Sequence, residues 1–235
     1  FLLKNKKLSG FAFAIFNFSI FAGDVAVFNE IGFSKDGNTY FFGVYGKTDK
    51  KFIPYAEIYG VDVAKNDFIP GKIYKSQDKS FKKSSKKVYE DLYAKNYSQL
   101  KKYELYAAKP KDVLYVMDEE SKKSTDEIVF TSFEENNYLY KVQLVPTFYG
   151  KKSSFYIHTK VYDKNTNELY RSFYAGNESI KRPNVTGYKI IKISTSEDRK
   201  SIVFVIEKTI EDENGVSIRY MVETKKLEKP IYQIN

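Results

Sequence analysis

Short segments rich in aromatic and β-branched residues follow Pro110 along the chain, and they constrain the fold more than any other feature. Polar turns such as Asp163 to Asn167 and Asp212 to Gly215 separate them. Segments of this kind are typical of strands in antiparallel sheets. The strands predicted here are Val113 to Met117, Glu127 to Phe133, Tyr138 to Phe148, Phe155 to Tyr162, Glu168 to Tyr174, Tyr188 to Ile193, Ser201 to Glu207 and Val216 to Thr224.

The part of the chain before Lys75 shows the same pattern. Asp36 and Gly37 form a turn, because glycine tolerates the positive φ that such turns need. The segment Thr39 to Tyr45 follows it, and the segment Tyr55 to Val63 carries apolar residues at alternate positions. Both segments are therefore predicted to be strands.

The stretch from about 75 to 110 interrupts the strands. Its apolar residues recur at helical spacing, Ser84 or Ser85 can cap a helix, and Pro110 ends the pattern. We predict one inserted amphipathic helix near residues 84–108, lying half-exposed against a sheet. A helix bound to a membrane surface is the alternative.

One internal repeat bears on the architecture. The turn around Ser34 and Asp36 recurs 162 residues later around Ser196 and Asp198, and similar strands follow both turns. Asp36, Gly37 and Asp198 are predicted to be structural turn residues, in the manner of β-propeller hairpins. The alternative is that the two hairpins are unrelated and share only ordinary turn chemistry. The predicted fold is mainly β and antiparallel, either small and propeller-like or a two-sheet sandwich.

The first 23 residues have the layout of a signal peptide. Lys4, Lys6 and Lys7 precede an apolar run, and the small residues Ala22 and Gly23 end it. We predict a signal peptide over 1–23, a single mostly β domain over 24–235, and a secreted or periplasmic location. A retained membrane anchor and a buried N-terminal element are the alternatives.

Three short stretches resemble a known family. They are Gly23-Asp24-Val25-Ala26, the run from Glu30 to Gly37, and the run from Pro54 to Val63. This opening is similar to that of a family of predicted secreted bacterial proteins (domain of unknown function 2259), best over residues 23–72. The resemblance implies export and a shared domain, and it carries over no catalytic or ligand-binding residue.

Composition excludes several kinds of site. The chain has no Cys and one His, so disulfides, cysteine nucleophiles and multi-histidine metal sites are excluded. We expect no metal and no cofactor. The formal net charge is +9, yet lysine supplies most of the basic residues, whereas nucleic-acid grooves favour arginine. Nucleic acid is therefore not expected as a partner.

No catalytic set is assembled in the sequence, so no catalytic residue is predicted. His158 lacks the neighbours of a catalytic triad. Acidic pairs such as Asp118-Glu119-Glu120, Glu134-Glu135 and Asp212-Glu213 fall at strand ends or turns. Asp163 to Asn167 imitates a calcium loop, but Glu168 stands where glycine is required. A secreted hydrolase that uses two carboxylates is the alternative function.

Aromatic residues are the most informative class for binding. The chain holds 21 Tyr and 19 Phe, and tyrosine suits sugar or peptide contacts as well as half-buried sheet faces. Tyr55, Tyr59 and Tyr156 are the candidate ligand contacts. The sequence thus predicts a non-catalytic periplasmic or envelope-associated binding or scaffold module, whose partner is an envelope protein, a peptide or a glycan.

Overall fold

The structure is a computed structural model that describes residues 22–48, 50–118, 127–131, 137–213 and 215–232. Residues 1–21, which carry most of the predicted signal peptide, lie outside the described residues. Signal cleavage and its two alternatives therefore stay predictions.

The described residues form fourteen strands and one α-helix. In chain order these are β1 (Ala22–Val25), β2 (Val27–Phe33), β3 (Thr39–Lys47), β4 (Pro54–Asp62), β5 (Asp67–Gln77), α1 (Ser85–Leu100), β6 (Val113–Val116), β7 (Ile128–Thr131), β8 (Tyr138–Tyr149), β9 (Lys152–Asp163), β10 (Leu169–Gly176), β11 (Arg182–Pro183), β12 (Val185–Thr195), β13 (Ser201–Asp212) and β14 (Gly215–Lys226). Two short 3-10 turns, Lys101–Tyr103 and Pro110–Asp112, flank the connection from α1 to β6.

Three sheets contain all of these strands. The N-terminal sheet has the order β2-β3-β4-β5, and the central sheet has the order β1-β14-β13-β12-β6. The outer sheet has the order β10-β9-β8-β7, and β11 also pairs with β9. Strand β1 pairs with β14 in parallel, while the other described pairs are antiparallel.

The sheets and the helix stack as four layers. One apolar core lies between α1 and the N-terminal sheet, a second between the N-terminal and central sheets, and a third between the central and outer sheets. Strand β13 is buried on both faces. Val203 belongs to the second core and Phe204 to the third, because successive strand residues point to opposite faces.

These observations confirm a mainly β, antiparallel fold with one inserted helix. Each of the eight strands predicted after Pro110 corresponds to an observed strand. In that part of the chain, the two-residue β11 is the one described strand that the pattern does not predict. The described strands form three sheets, one more than the predicted sandwich would have. A propeller-like closure stays a prediction.

Helix α1 begins where the sequence predicts and ends earlier. The Ser84 side chain accepts the backbone N–H of Lys87 and caps the first turn. The helix stops at Leu100 rather than near residue 108. Glu104 has a left-handed backbone (φ 47), and Tyr106 exchanges backbone hydrogen bonds with Phe33 of the N-terminal sheet, so the chain after the helix is held as an extended segment.

Candidate functional site

Asp36 and Gly37 lie in the turn between β2 and β3. The Ser34 hydroxyl donates to the Asp36 carboxylate (2.6 Å) and accepts the backbone N–H of Thr39 (2.9 Å). Asp36 also accepts the N–H of Asn38 (3.0 Å), and these hydrogen bonds hold the pKa of Asp36 below its usual value. Gly37 adopts φ 66, which favours glycine.

Asp198 lies in the corresponding turn between β12 and β13, and its hydrogen bonds repeat those of Asp36. The Ser196 hydroxyl donates to Asp198 (2.5 Å) and accepts the N–H of Ser201 (3.0 Å). The two turns also contact each other, because the Ser201 hydroxyl donates to the Gly37 carbonyl (2.5 Å). The same hydrogen bonds therefore close both turns, and the two turns meet at the junction of two sheets.

The three candidate tyrosines lie on two different sheets. Tyr55 is buried in β4, with the Arg219 guanidinium 5.9 Å from its ring centroid. Tyr59, also in β4, stacks on Phe68 at 5.0 Å between ring centroids and donates its hydroxyl to Glu57. Burial, together with this bond, raises the pKa of Tyr59 far above its usual value.

Tyr156 lies on β9 of the outer sheet. Its ring centroid is 5.8 Å from that of Tyr174, whose ring stacks on His158 at 4.3 Å. The imidazole Nε2 of His158 lies 2.9 Å from the Ser172 hydroxyl. Burial and Lys160 lower the pKa of His158. No carboxylate contact to His158 is found among the described residues, so its surroundings are those of a surface aromatic cluster.

A pocket of about 390 Å³ lies at the edge of the central sheet. The β4–β5 hairpin forms one side, the segment around β11 forms another, and β13 and β14 form the floor. Apolar side chains make up most of the wall, and charged or amide groups converge on it. The lining residues are Val61, Asn66, Asp67, Phe68, Ile180, Arg182, Pro183, Val185, Lys208, Ile210, Met221, Val222 and Glu223.

Glu223 is the buried acid of this pocket, with 3% of its surface exposed. Arg182 donates to one of its oxygens (2.9 Å), and the Asn66 side-chain amide donates to the other. Asn66 is itself fixed, because its carbonyl oxygen accepts the backbone N–H of Thr224 (2.7 Å). Burial raises the pKa of Glu223, while Asn66 and Arg182 oppose that rise.

Lys208 differs from these paired groups. Within the described part of the chain, its ammonium group has no hydrogen-bond or salt-bridge partner. Burial lowers the pKa of Lys208 to about 8, and the positive charges of Arg182 and Arg219 act in the same direction. Glu57 and Glu223 oppose them. The pocket therefore contains a mostly buried cation without a bonded counter-charge.

A larger groove of about 880 Å³ lies beside the tip of the β13–β14 hairpin. It is open, and its ion pair, Lys50 with Glu213 (2.8 Å), is exposed. We regard the smaller pocket as the candidate site, because Lys208 and Glu223 are mostly buried there and their pKa values are perturbed, as is typical of binding and catalytic sites.

The described members of the acidic pairs, Asp118, Asp212 and Glu213, do not line this pocket. Asp212 and Glu213 line the larger groove. Glu119, Glu120, Glu134 and Glu135 lie outside the described residues. Asp163 accepts the N–H groups of Asn165 and Thr166, as expected of a hairpin turn. No cluster of three metal-binding side chains occurs among the residues that the structure describes.

The residues of the pocket were not singled out from the sequence. Two features of the sequence could have identified them: Lys208 follows the apolar run of β13, and Glu223 lies between Val222 and Thr224 in β14. A charged residue in a strand of this kind is expected to need a partner. None of the three candidate tyrosines lines the pocket. The ring of Tyr59 stacks on that of Phe68, and Phe68 is a lining residue.

The fold and the pocket define a β-rich protein of three packed sheets, with a small and mostly apolar pocket that holds buried charges. A family model described as predicted secreted protein (domain of unknown function 2259) matches residues 41–226, more than half of the chain. The chain belongs to this family, which confirms the suspected family and its secretion. No curated protein matches the chain. Among the described residues, no helix has the length and apolar character needed to cross a bilayer.

Proposed function

We propose that the protein is a non-catalytic binding module, periplasmic or envelope-associated, that holds a small and largely apolar ligand in the pocket at the edge of the central sheet. The observation that carries this proposal is the combination of apolar walls with buried charged groups in one cavity of about 390 Å³. Small-molecule sites have this composition, and their volumes begin at about 300 Å³.

The mouth of the pocket supports the proposal. Phe68 and Ile180 line the pocket and are 45% and 48% exposed. Large apolar side chains at the rim of a cavity lose contact with water when a ligand covers them, and that loss favours binding. The sequence-based partner classes, an envelope protein, a peptide or a glycan, would have to present an apolar group of this size.

The alternative function, a carboxylate-dependent hydrolase, has one feature in its favour, since Glu223 and Asp67 line the same pocket. A general acid must release a proton to the substrate. Both oxygens of Glu223 accept hydrogen bonds, from Arg182 and Asn66, an arrangement that suits a fixed negative charge better than a proton donor. Binding without catalysis is therefore the function that we propose.

The test is binding of the neutral apolar fluorophore 1-naphthylamine, which is small enough for this pocket, to the purified protein. Phe68→Ser should weaken binding roughly tenfold, which corresponds to about 1.4 kcal/mol of lost apolar contact. Phe81→Ser is the matched control, because Phe81 is 59% exposed and does not line this pocket. It should bind like the unchanged protein.

Failure of the unchanged protein to bind the fluorophore would contradict the proposal, as would equal binding by Phe68→Ser. Turnover of chromogenic esters or glycosides that disappears in Glu223→Gln would favour the hydrolase instead.

A further inference from the structure

The acids around Lys208 are already compensated by other groups. Glu223 is held by Arg182 and Asn66. Glu57 lies 2.9 Å from the ammonium group of Lys75. Asp67, at the rim, accepts the backbone N–H of Phe68 (2.7 Å). Glu57 and Glu223 oppose the lowering of the Lys208 pKa, but none of the three acids is bonded to Lys208.

The neighbouring cations are also engaged. Arg182 is paired with Glu223, and Arg219 donates to the backbone carbonyl of Asp24 (2.8 Å) and lies 3.8 Å from the Asp24 carboxylate. Lys208 is thus the one pocket-lining charge that, among the described residues, is left without a bonded partner. A mostly buried charge without such a partner is unfavourable.

We infer that the ligand of this pocket is a medium-chain carboxylic acid in its anionic form, with its carboxylate bound by Lys208 and its alkyl chain against the apolar walls. This inference rests on the proposed function and specifies the ligand class of the same site. A single negative charge complements the one uncompensated cation, and a carboxylate also accepts charge-assisted hydrogen bonds from an ammonium group.

The volume of the pocket limits the length of the ligand's alkyl chain. At about 30 Å³ for each water-sized group, 390 Å³ holds about 13 such groups. Octanoate has ten non-hydrogen atoms and leaves room for a water molecule at the mouth. The alkyl chain would lie against the apolar lining residues, namely Val61, Phe68, Ile180, Val185, Ile210, Met221 and Val222.

The charge of Lys208 makes this binding dependent on pH. The ammonium form, which binds the anion, predominates below the pKa of about 8 and is lost as pH rises through it. The charged groups that act on Lys208 are Arg182 from β11, Arg219 and Glu223 from β14, and Glu57 from β4. Tyr188 of β12 lies opposite Lys208 in the strand register, with its hydroxyl 2.8 Å from that of Ser153.

The test is calorimetric titration of the purified protein with octanoate, 1-octanol and octylammonium, which share a chain and differ in charge. At pH 7 octanoate should bind at least tenfold more tightly than octanol, and octylammonium should bind most weakly. Lys208→Met should lose the preference for octanoate, and its affinity for octanol should equal that of the unchanged protein. Lys160→Met, a change in a half-buried lysine of the outer sheet, should retain the preference.

The outcomes separate this inference from the proposed function. Equal binding of octanoate and octanol by the unchanged protein would overturn the inference and leave the pocket as an apolar site. Tighter binding of octylammonium than of octanoate would overturn it as well, and would indicate that Glu223, not Lys208, binds the charged group of the ligand. If none of the three compounds binds, the proposed function fails together with the inference.

Discussion

Replacement of Lys208 by methionine should stabilise the ligand-free protein at neutral pH, although the same change removes the preference for a carboxylate. Methionine keeps most of the length of the lysine stem and removes its charge. Sites that bind ligands often contain groups that destabilise the protein when no ligand is bound. Removing such a group stabilises the protein but weakens its function. Lys208 is such a group, because burial leaves its charge without a bonded partner.

The magnitude follows from the pKa of Lys208. Burial lowers it from 10.5 to about 8, and each pKa unit corresponds to about 1.4 kcal/mol. Below pH 8 the ammonium group is charged in both the folded and the unfolded protein, and the folded state is destabilised by about 3 kcal/mol. Lys208→Met should therefore be more stable than the unchanged protein by up to about 3 kcal/mol at pH 7.

The stability penalty from Lys208 decreases as the pH rises. Between pH 8 and 10.5 the unfolded protein binds more protons than the folded protein, so stability rises with pH in this window and the penalty fades. About 1.4 kcal/mol of the penalty remains at pH 9.5, so the difference between the two proteins should shrink by about 2 kcal/mol from pH 7 to 9.5.

Urea denaturation followed by circular dichroism measures this difference. Urea is uncharged, so it does not screen the electrostatic term as guanidinium would. Lys160→Met serves as the control and should show no comparable change with pH. The reasoning is refuted if Lys208→Met is no more stable than the unchanged protein at pH 7, or if its advantage is the same at pH 9.5.

Two further predictions concern the fold. Ser196→Ala should destabilise the protein by about 1–3 kcal/mol in the same urea assay, because the buried Ser196 hydroxyl holds the β12–β13 turn by hydrogen bonds. Ser154→Ala is the control and should be near neutral. The buried Ser154 hydroxyl has no hydrogen-bond partner among the described residues. Gly43→Ala should lower stability by about 1–3 kcal/mol, because its Cβ would overlap the Tyr89 ring of α1. Gly187→Ala should be tolerated, as its Cβ would lie 3.5 Å from the nearest atom, and similar losses in both glycine variants would contradict this account.

Local patterns in the sequence were sufficient for most of the secondary structure. The Asp36-Gly37 turn and the alternation in β4 depend on neighbours along the chain, and so does the Ser84 cap. The sequence pattern extends α1 too far, because the end of the helix depends on a distant contact, in which Tyr106 pairs with Phe33 of another element. A continuous apolar run such as that in β13 indicates burial on both faces, but it does not say which sheets cover the strand.

The candidate site could not be predicted in the same way. Asn66, Arg182, Lys208 and Glu223 come from four separate segments and meet only through the packing of three sheets. The sequence shows each of them as a polar residue in a turn or strand, without the distances that relate them. The sequence favours Tyr59 as a ligand contact because of its aromatic ring. That ring stacks on Phe68, and Phe68, not Tyr59, lines the pocket.

The most direct test of the central claim is the titration of the Lys208 side chain by NMR, with and without octanoate. The ammonium group of the ligand-free protein should titrate with a pKa of about 8. Saturating octanoate should raise that pKa, because the bound carboxylate supplies the missing counter-charge. An identical titration curve in the presence of bound octanoate would contradict the claim that Lys208 holds the anionic group of the ligand.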